Sequence, residues 1–317
     1  MILITGGAGF IGSHVTLRLQ ELGYQTLVLD NLSYGNRRAV LDGLFIEGNF
    51  GDRALLDQIF KNYPIRAVFH FAAYIDVGES VQHPQKYFKN NVENTRVLLE
   101  AMAAAKIPHL IFSSTAAVYG NPGQDKIDEK HATQPINPYG ESKLRAEQLI
   151  REFKQQAVIL RYFNAAGGDP QGRLKNFKKK ESNLIPAALR DLKSGKALTV
   201  FGDDYPTSDG TCIRDYIHVW DLAEAHILAL NALEKGSGSA IYNLGNGEGY
   251  SVNEVLDAVE KVTHKKLNRQ VGPRRPGDPA ILMADATKAM RELEWVPKYP
   301  QLEKIVDDAW RAANSLL

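Results

Sequence analysis

Met1-Ile-Leu-Ile-Thr5-Gly6-Gly7-Ala8-Gly9-Phe10-Ile11-Gly12 opens the chain and decides its fold. A short apolar run suited to a buried strand leads into glycines at every third position, and a 3.6-residue apolar period then runs to Leu22. Strand, glycine turn and helix in that order present backbone N–H groups at a positive helix end, where the missing Cβ atoms let a pyrophosphate approach. Asp30 closes the next apolar run, Gln25 to Leu29, 18 residues after Gly12. A carboxylate there accepts hydrogen bonds from an adenosine ribose and repels a 2′-phosphate, so the expected cofactor is NAD rather than NADP. Arg37 and Arg38 follow closely enough to soften that preference.

Beyond this unit the first half keeps the same rhythm. Further strands are expected at Leu44 to Ile46, Ala67 to Phe71, His109 to Ser113 and Val158 to Tyr162. Helices are expected near Arg53 to Asn62, Asn90 to Ala105 and Pro138 to Phe153. Alternation of this kind predicts an α/β fold, a doubly wound parallel Rossmann sheet with crossover helices. After Phe163 the rhythm loosens into a polar loop and shorter elements. We expect residues 1–164 to form the NAD-binding domain and 165–317 a second, smaller α/β substrate domain. Within 215–245, Tyr216 to Val219 and Ile241 to Leu244 are strands able to return to the main sheet.

The chemistry is expected at the carboxyl edge of that sheet. Asn49 and Phe50 follow the third strand, and Phe71, Ala72 and Ala73 close the fourth, with residues small enough for a dinucleotide to approach. Ser113, Ser114 and Thr115 end the fifth strand, and Tyr139 and Lys143 begin a helix 24 residues after Thr115. Four-residue spacing puts the phenol and the ammonium on one helix face, where the ammonium can lower the phenol pKa. A proton can then move while a cofactor moves a hydride, which is the chemistry of an alcohol and ketone pair. From the residues alone, any of the three hydroxyls can complete the group.

Composition narrows the partners. Lys and Arg total 38 against 37 Asp and Glu, a formal charge of +1, which offers no field for nucleic acid or a membrane surface. No apolar run approaches a membrane span, and with the first strand expected from Met1 no cleaved signal is expected. Cys212 stands alone, so no intrachain disulfide forms and a reducing, cytoplasmic setting is expected. No metal-ligand spacing occurs, and no metal is expected; His14, His70, His218 and His226 read as packing or surface residues.

Together these motifs resemble the extended short-chain dehydrogenase/reductase family and, within it, the UDP-glucose 4-epimerase group. The most specific part is Asp204-Tyr-Pro-Thr-Ser-Asp-Gly-Thr-Cys-Ile-Arg214-Asp-Tyr-Ile-His-Val-Trp-Asp-Leu222. Gly78-Glu-Ser-Val81, Asn90-Asn-Val92, Ser113 to Gly120, Pro138 to Lys143, Arg161-Tyr-Phe-Asn164 and Pro273 to Asp278 extend it over nearly the whole chain. The resemblance implies a homodimer and reversible epimerisation at carbon 4 of a UDP-hexose, UDP-galactose to UDP-glucose, through a 4-keto intermediate with tightly bound NAD. It implies that Thr115, Tyr139 and Lys143 are catalytic. It gives NAD contacts to Phe10, Ile11, Asp30, Asn31, Asn49, Phe50, Phe71, Ala72, Asn90 and Phe163, beside Gly6, Gly9 and Gly12. It gives the UDP-sugar to Thr115, Asn164, Asn183, Leu184, the run Thr199, Val200 and Phe201, Arg214, Arg275, Asp278 and Leu282.

Three departures qualify the match. Asn49 stands where the family usually has an Asp, the lysine-rich run Lys175 to Glu181 replaces a different loop, and Leu282 stands where relatives carry a Tyr or a smaller gating residue. Leucine leaves more room than tyrosine for an N-acetylated sugar, and because only pocket size distinguishes the substrates, a UDP-N-acetylhexosamine or a UDP-pentose is the alternative. A 4,6-dehydratase would need Asp-Glu where Ala116-Ala117 stand. An inactive NAD-sensing protein would not need the three catalytic residues together.

Overall fold

The computed structural model describes residues 1–123, 126–175, 183–275 and 277–314. Of the lysine-rich run only Lys175 falls among them; its remainder, and Pro276 of the second arginine motif, lie outside the described residues.

Strands and helices alternate first as β1 Ile2–Thr5, α1 Phe10–Glu21, β2 Thr26–Asp30, β3 Leu44–Glu47, α2 Arg53–Asn62, β4 Ala67–His70, α3 Val77–Gln82, α4 Pro84–Phe88, α5 Asn94–Ala104, β5 His109–Thr115, α6 Pro138–Glu152 and β6 Gln156–Tyr162. The chain continues as β7 Asn164–Ala166, α7 Leu184–Ser194, β8 Leu198–Phe201, β9 Ile213–His218, α8 Val219–Glu234, β10 Ala240–Leu244, β11 Gly249–Ser251, α9 Val252–Thr263, β12 Arg269–Gly272, β13 Ile281–Leu282, α10 Thr287–Glu292 and α11 Leu302–Asn314.

Among the described residues, seven strands form one parallel sheet in the order β10-β6-β5-β4-β1-β2-β3. The winding reverses between β1 and β4, so the loops after these strands part and leave a crevice at the carboxyl edge. Period-two alternation sorts the strand side chains between two cores. Ile2 and Ile4 pack with Val15 and Leu19 of α1 and Leu222 and Leu230 of α8. Leu3 faces the other way, onto Leu56 of α2, Leu98 of α5 and Leu149 of α6.

The later segments build the wall opposite. β9 pairs with β7, β11 and β13 in a smaller mixed sheet, and β8 pairs with β12. Behind them Ile185 and Leu189 of α7, Val255 and Val259 of α9, and Ile305 and Val306 of α11 share a third core. The segment Tyr216 to His218 therefore lies in the smaller sheet, whereas Ala240–Leu244 pairs with β6 at the edge of the main one. The expected helix near Asn90 also differs at its start. The chain is already helical in α4 and passes through a π turn, Lys89–Glu93, before α5. The wider turn leaves both Asn90 and Asn91 buried, where the Asn91 amide exchanges hydrogen bonds with the Tyr74 backbone at 2.9 and 3.0 Å. Among the described residues no helix is long and apolar enough to cross a membrane.

Candidate active site

A cleft of about 470 Å³ runs along the carboxyl edge between the main sheet and the later segments. Its floor is the glycine turn after β1. Gly6 has φ +74°, and a Cβ there would meet the Ala72 nitrogen at 2.5 Å. A Cβ on Gly12 would meet the Gly6 carbonyl oxygen at 2.4 Å, so α1 packs against the turn only with glycine at that point. Gly9 is the N-cap of α1 and supplies no side-chain cap, and no acid occupies the first turn. The first-turn N–H groups are thus available to an anion, and this cradle fits the pyrophosphate of a dinucleotide.

Asp30 is buried at the end of β2, where its carboxylate accepts from Ala8 N at 3.0 Å and Leu32 N at 2.9 Å. Burial pushes its pKa up, and the two backbone donors oppose that. Asn31 lines the cleft beside it and accepts from Ser33. Arg37 instead donates to the Val40 carbonyl at 2.8 Å and lies over the Phe45 ring. Phe10, Ile11, Phe50, Phe71, Ala72, Asn90 and Phe163 all line the cleft. Asn49 does not: it is exposed, and its side-chain oxygen accepts from Gly51 N at 2.8 Å to close its own turn.

Across the crevice, α6 is started by the Asn137 side chain, which accepts from Gly140 N at 2.9 Å, with Pro138 in the first turn. Tyr139 is consequently held in that first turn, facing the end of β5. Of the three β5 hydroxyls it is Thr115 that acts on the Tyr139 phenol, drawing its pKa down, and its oxygen accepts from Ala117 N at 3.2 Å. Lys143 follows one turn later, 3% exposed, with its Nζ 4.2 Å above the Phe112 ring.

The electrostatics differ from the expectation of a phenol pKa lowered by its lysine. Burial raises the Tyr139 pKa, opposed only by Thr115. Burial likewise lowers that of Lys143, to about 7, with Glu147 working against the shift. Desolvation penalises whichever form is charged, and here it outweighs any help from one group to the other. Glu147, one further turn along α6, is itself taken up by Arg161 at 2.6 and 3.0 Å and by Ser114 at 2.5 Å.

On the opposite wall, Asn164, Asn183, Arg214, Asp278 and Leu282 line the cleft. Arg214 lies 3.7 Å from Asp278 and is paired in register with Leu282 across β9 and β13. Leu184, Thr199, Val200, Phe201 and Arg275 are not among the lining residues. Leu184 begins α7, Thr199, Val200 and Phe201 lie in β8, and Arg275 is stacked over the Phe201 ring at 3.9 Å. Reading the sequence missed Tyr34, Tyr74, Ile136, Asn137 and Tyr162, all of which line the cleft. Tyr162 carried a usable signal: it is the last residue of a strand that points at the carboxyl edge, directly before Phe163 and Asn164.

A parallel sheet reversed at a glycine cradle, with hydroxyl and phenol lining the cleft and an ammonium buried one helical turn behind the phenol, defines a dinucleotide enzyme of alcohol and ketone chemistry. The chain belongs to the NAD dependent epimerase/dehydratase family, which matches residues 2–245. It is 49% identical to the UDP-glucose 4-epimerase of Halalkalibacterium halodurans over 98% of this chain and 94% of that protein. Against the UDP-glucose 4-epimerase of Rhizobium meliloti it is 46% identical, over 98% and 95%. The crystal structure of UDP-glucose 4-epimerase from Brucella ovis in complex with NAD superposes with a TM-score of 0.94 at 43% identity, covering 98% of this chain and 97% of that one.

Proposed function

We propose that the chain epimerises UDP-galactose and UDP-glucose at carbon 4, keeping one NAD through the cycle. The observation that carries this reading is Thr115 and Tyr139 together in the lining of the cleft that the glycine turn floors, with Lys143 buried one turn after the phenol on α6. The glycine turn would hold the pyrophosphate, Asp30 the adenosine ribose and Lys143 the nicotinamide ribose; bound NAD supplies the acceptor, and then the donor, of the carbon 4 hydride. Tyr139 as phenolate takes the proton of the 4-hydroxyl and later returns it, and Thr115 hydrogen-bonds the reacting oxygen. Between these steps the 4-keto sugar turns over within the cleft.

Arg214 and Arg275 would grip the diphosphate with forked, charge-assisted bonds, with Asp278 on a ribose hydroxyl. Asn183, Leu184, Thr199, Val200 and Phe201 complete that side, and Asn164 and Leu282 face the sugar. Holding the UDP end while the sugar turns is a use of remote binding energy. Residues 1–164 are the NAD-binding part and 165–317 the nucleotide-sugar part, with Ala240–Leu244 lent back to the main sheet. The two UDP-glucose 4-epimerase relatives do not favour an N-acetylated or pentose substrate, nor an inactive sensor. The family resemblance supports a homodimer joined through α5 and α6, and the lone Cys212 supports a cytoplasmic setting; sedimentation tests the former.

The test is to incubate the purified chain with UDP-galactose and no added cofactor, and to follow the sugar by NMR. Conversion to UDP-glucose is expected. Failure to convert, even with NAD supplied, would remove the assignment.

A further inference from the structure

β1 lies between β4 and β2 in the main sheet, so the loops that follow those two strands flank the glycine turn on either side. On the β2 side the chain runs along the turn itself, with Asn36 N donating to the Ala8 carbonyl at 3.0 Å, and it carries Tyr34. On the β4 side it passes Tyr74 and enters α3 and α4. Side chains join the two sides again. The Tyr34 hydroxyl donates to Glu79 Oε2 of α3 at 3.1 Å, and Lys86 Nζ of α4 donates to Glu79 Oε1 at 2.8 Å and to the Tyr34 oxygen at 3.4 Å. The same ammonium lies 4.3 Å above the Tyr74 ring, which meets the Tyr34 ring edge-on at 5.5 Å. Tyr87 fixes the carboxylate by sharing its hydroxyl proton between Glu79 Oε2 at 3.0 Å and the Asp76 carbonyl at 2.6 Å. Tyr34 and Tyr74 line the cleft, whereas Glu79 and Lys86 stand outside its lining.

We propose that Tyr34, Glu79 and Lys86 form a latch across the dinucleotide side of the cleft, and that it must part before NAD can enter or leave. This rests on the NAD reading above and adds to it what keeps the cofactor resident through successive turnovers. A pyrophosphate on the turn after β1 is spanned by any bridge from the loop after β2 to the helices after β4, because the strand order puts the turn between them. Each contact alone is a weak surface interaction, but one carboxylate receives both donors, so the three side chains open together. The latch is a kinetic device. It slows passage in both directions and changes affinity little, because it opposes entry as much as release.

Stopped-flow fluorescence with NADH as the probe reads the two rates separately. Entry is followed on mixing NADH with the chain freed of dinucleotide, and release on chasing the NADH-loaded chain with excess NAD. Lys86→Met keeps the aliphatic stem and removes the ammonium; since Lys86 is outside the lining, it reaches the cofactor only through the latch. Tyr34→Phe keeps the ring and removes the hydroxyl. Tyr34 is 48% exposed and the Lys86 side chain 37%, so neither change takes packing from the core. Each variant should raise entry and release together by about three- to tenfold, leaving Kd within about threefold of the wild type. Unchanged rates in either variant would overturn the latch. Faster release with unaltered entry would overturn it too, since that marks a side chain that merely touches the cofactor. Failure of the wild-type chain to bind NADH would overturn the cofactor reading with it.

Discussion

Tyr139 and Lys143 are each placed where burial penalises their charged form. The phenol must become a base, so its activation has to come with the cofactor and substrate, which bring countercharge and exclude water. Replacing Tyr139 with Phe removes the proton carrier and leaves the glycine cradle untouched. We expect turnover to fall about 10²–10⁴-fold, with NAD still bound, as judged by NMR of the sugar and absorbance of the released cofactor. Lys143 has a stability signature as well. Its pKa falls from 10.5 in the unfolded chain to about 7 in the fold, so the unfolded state binds more protons between those values. Stability is therefore lost as pH falls from 10.5 towards 7, and the full penalty applies below that window. In the dinucleotide-free chain, Lys143→Met should melt several degrees higher than the wild type at pH 7, with the gap shrinking as pH approaches 10.5. Equal melting gaps at pH 7 and pH 9.5 would contradict this.

Between residue and whole molecule, three short segments are pinned by one carboxylate. Asp215 of β9 is fully buried and accepts from Asn246 N at 2.8 Å, Gly247 N at 2.9 Å and Ala284 N at 3.1 Å. It thereby ties β9 to the loop after β10 and to the end of β13, so Leu282 and Arg214 keep their register. Burial pushes its pKa up to about 6, and the three donors work against the shift. Asp215→Ala should cost about 1–3 kcal/mol for each buried donor left unpaired, read by urea unfolding. At temperatures where the variant is folded, KM for the UDP-sugar should rise more than kcat falls. The strands were legible in the sequence because β1, β2 and β4 are short apolar runs buried on both faces. The π turn at Lys89–Glu93 was not, since its composition suits an ordinary helix. That Asn49 would close its own turn was not legible, because nothing in its identity says so.

At the scale of the molecule, two sheets make one site. The main sheet supplies the cradle, Asp30 and the Thr115 end of β5, while the smaller sheet brings Arg214 and Leu282 to the opposite wall. Sequence motifs identified both groups of residues, but not how they meet. Pairing preferences are alike in any strand, so the pattern of β9 alone could not say that it joins β7 rather than the main sheet. This arrangement also explains why one cofactor suffices: the cleft can hold the UDP end on one wall while the sugar turns against the other. In the proposed cycle the carbon 4 hydrogen leaves and returns as a hydride within the chain. The most direct test is to supply UDP-galactose deuterated at carbon 4, in ordinary water and without added NAD, and to examine the UDP-glucose formed by NMR and mass spectrometry. The deuterium is expected to be retained at carbon 4. Its replacement by hydrogen from solvent would contradict a hydride carried by resident NAD.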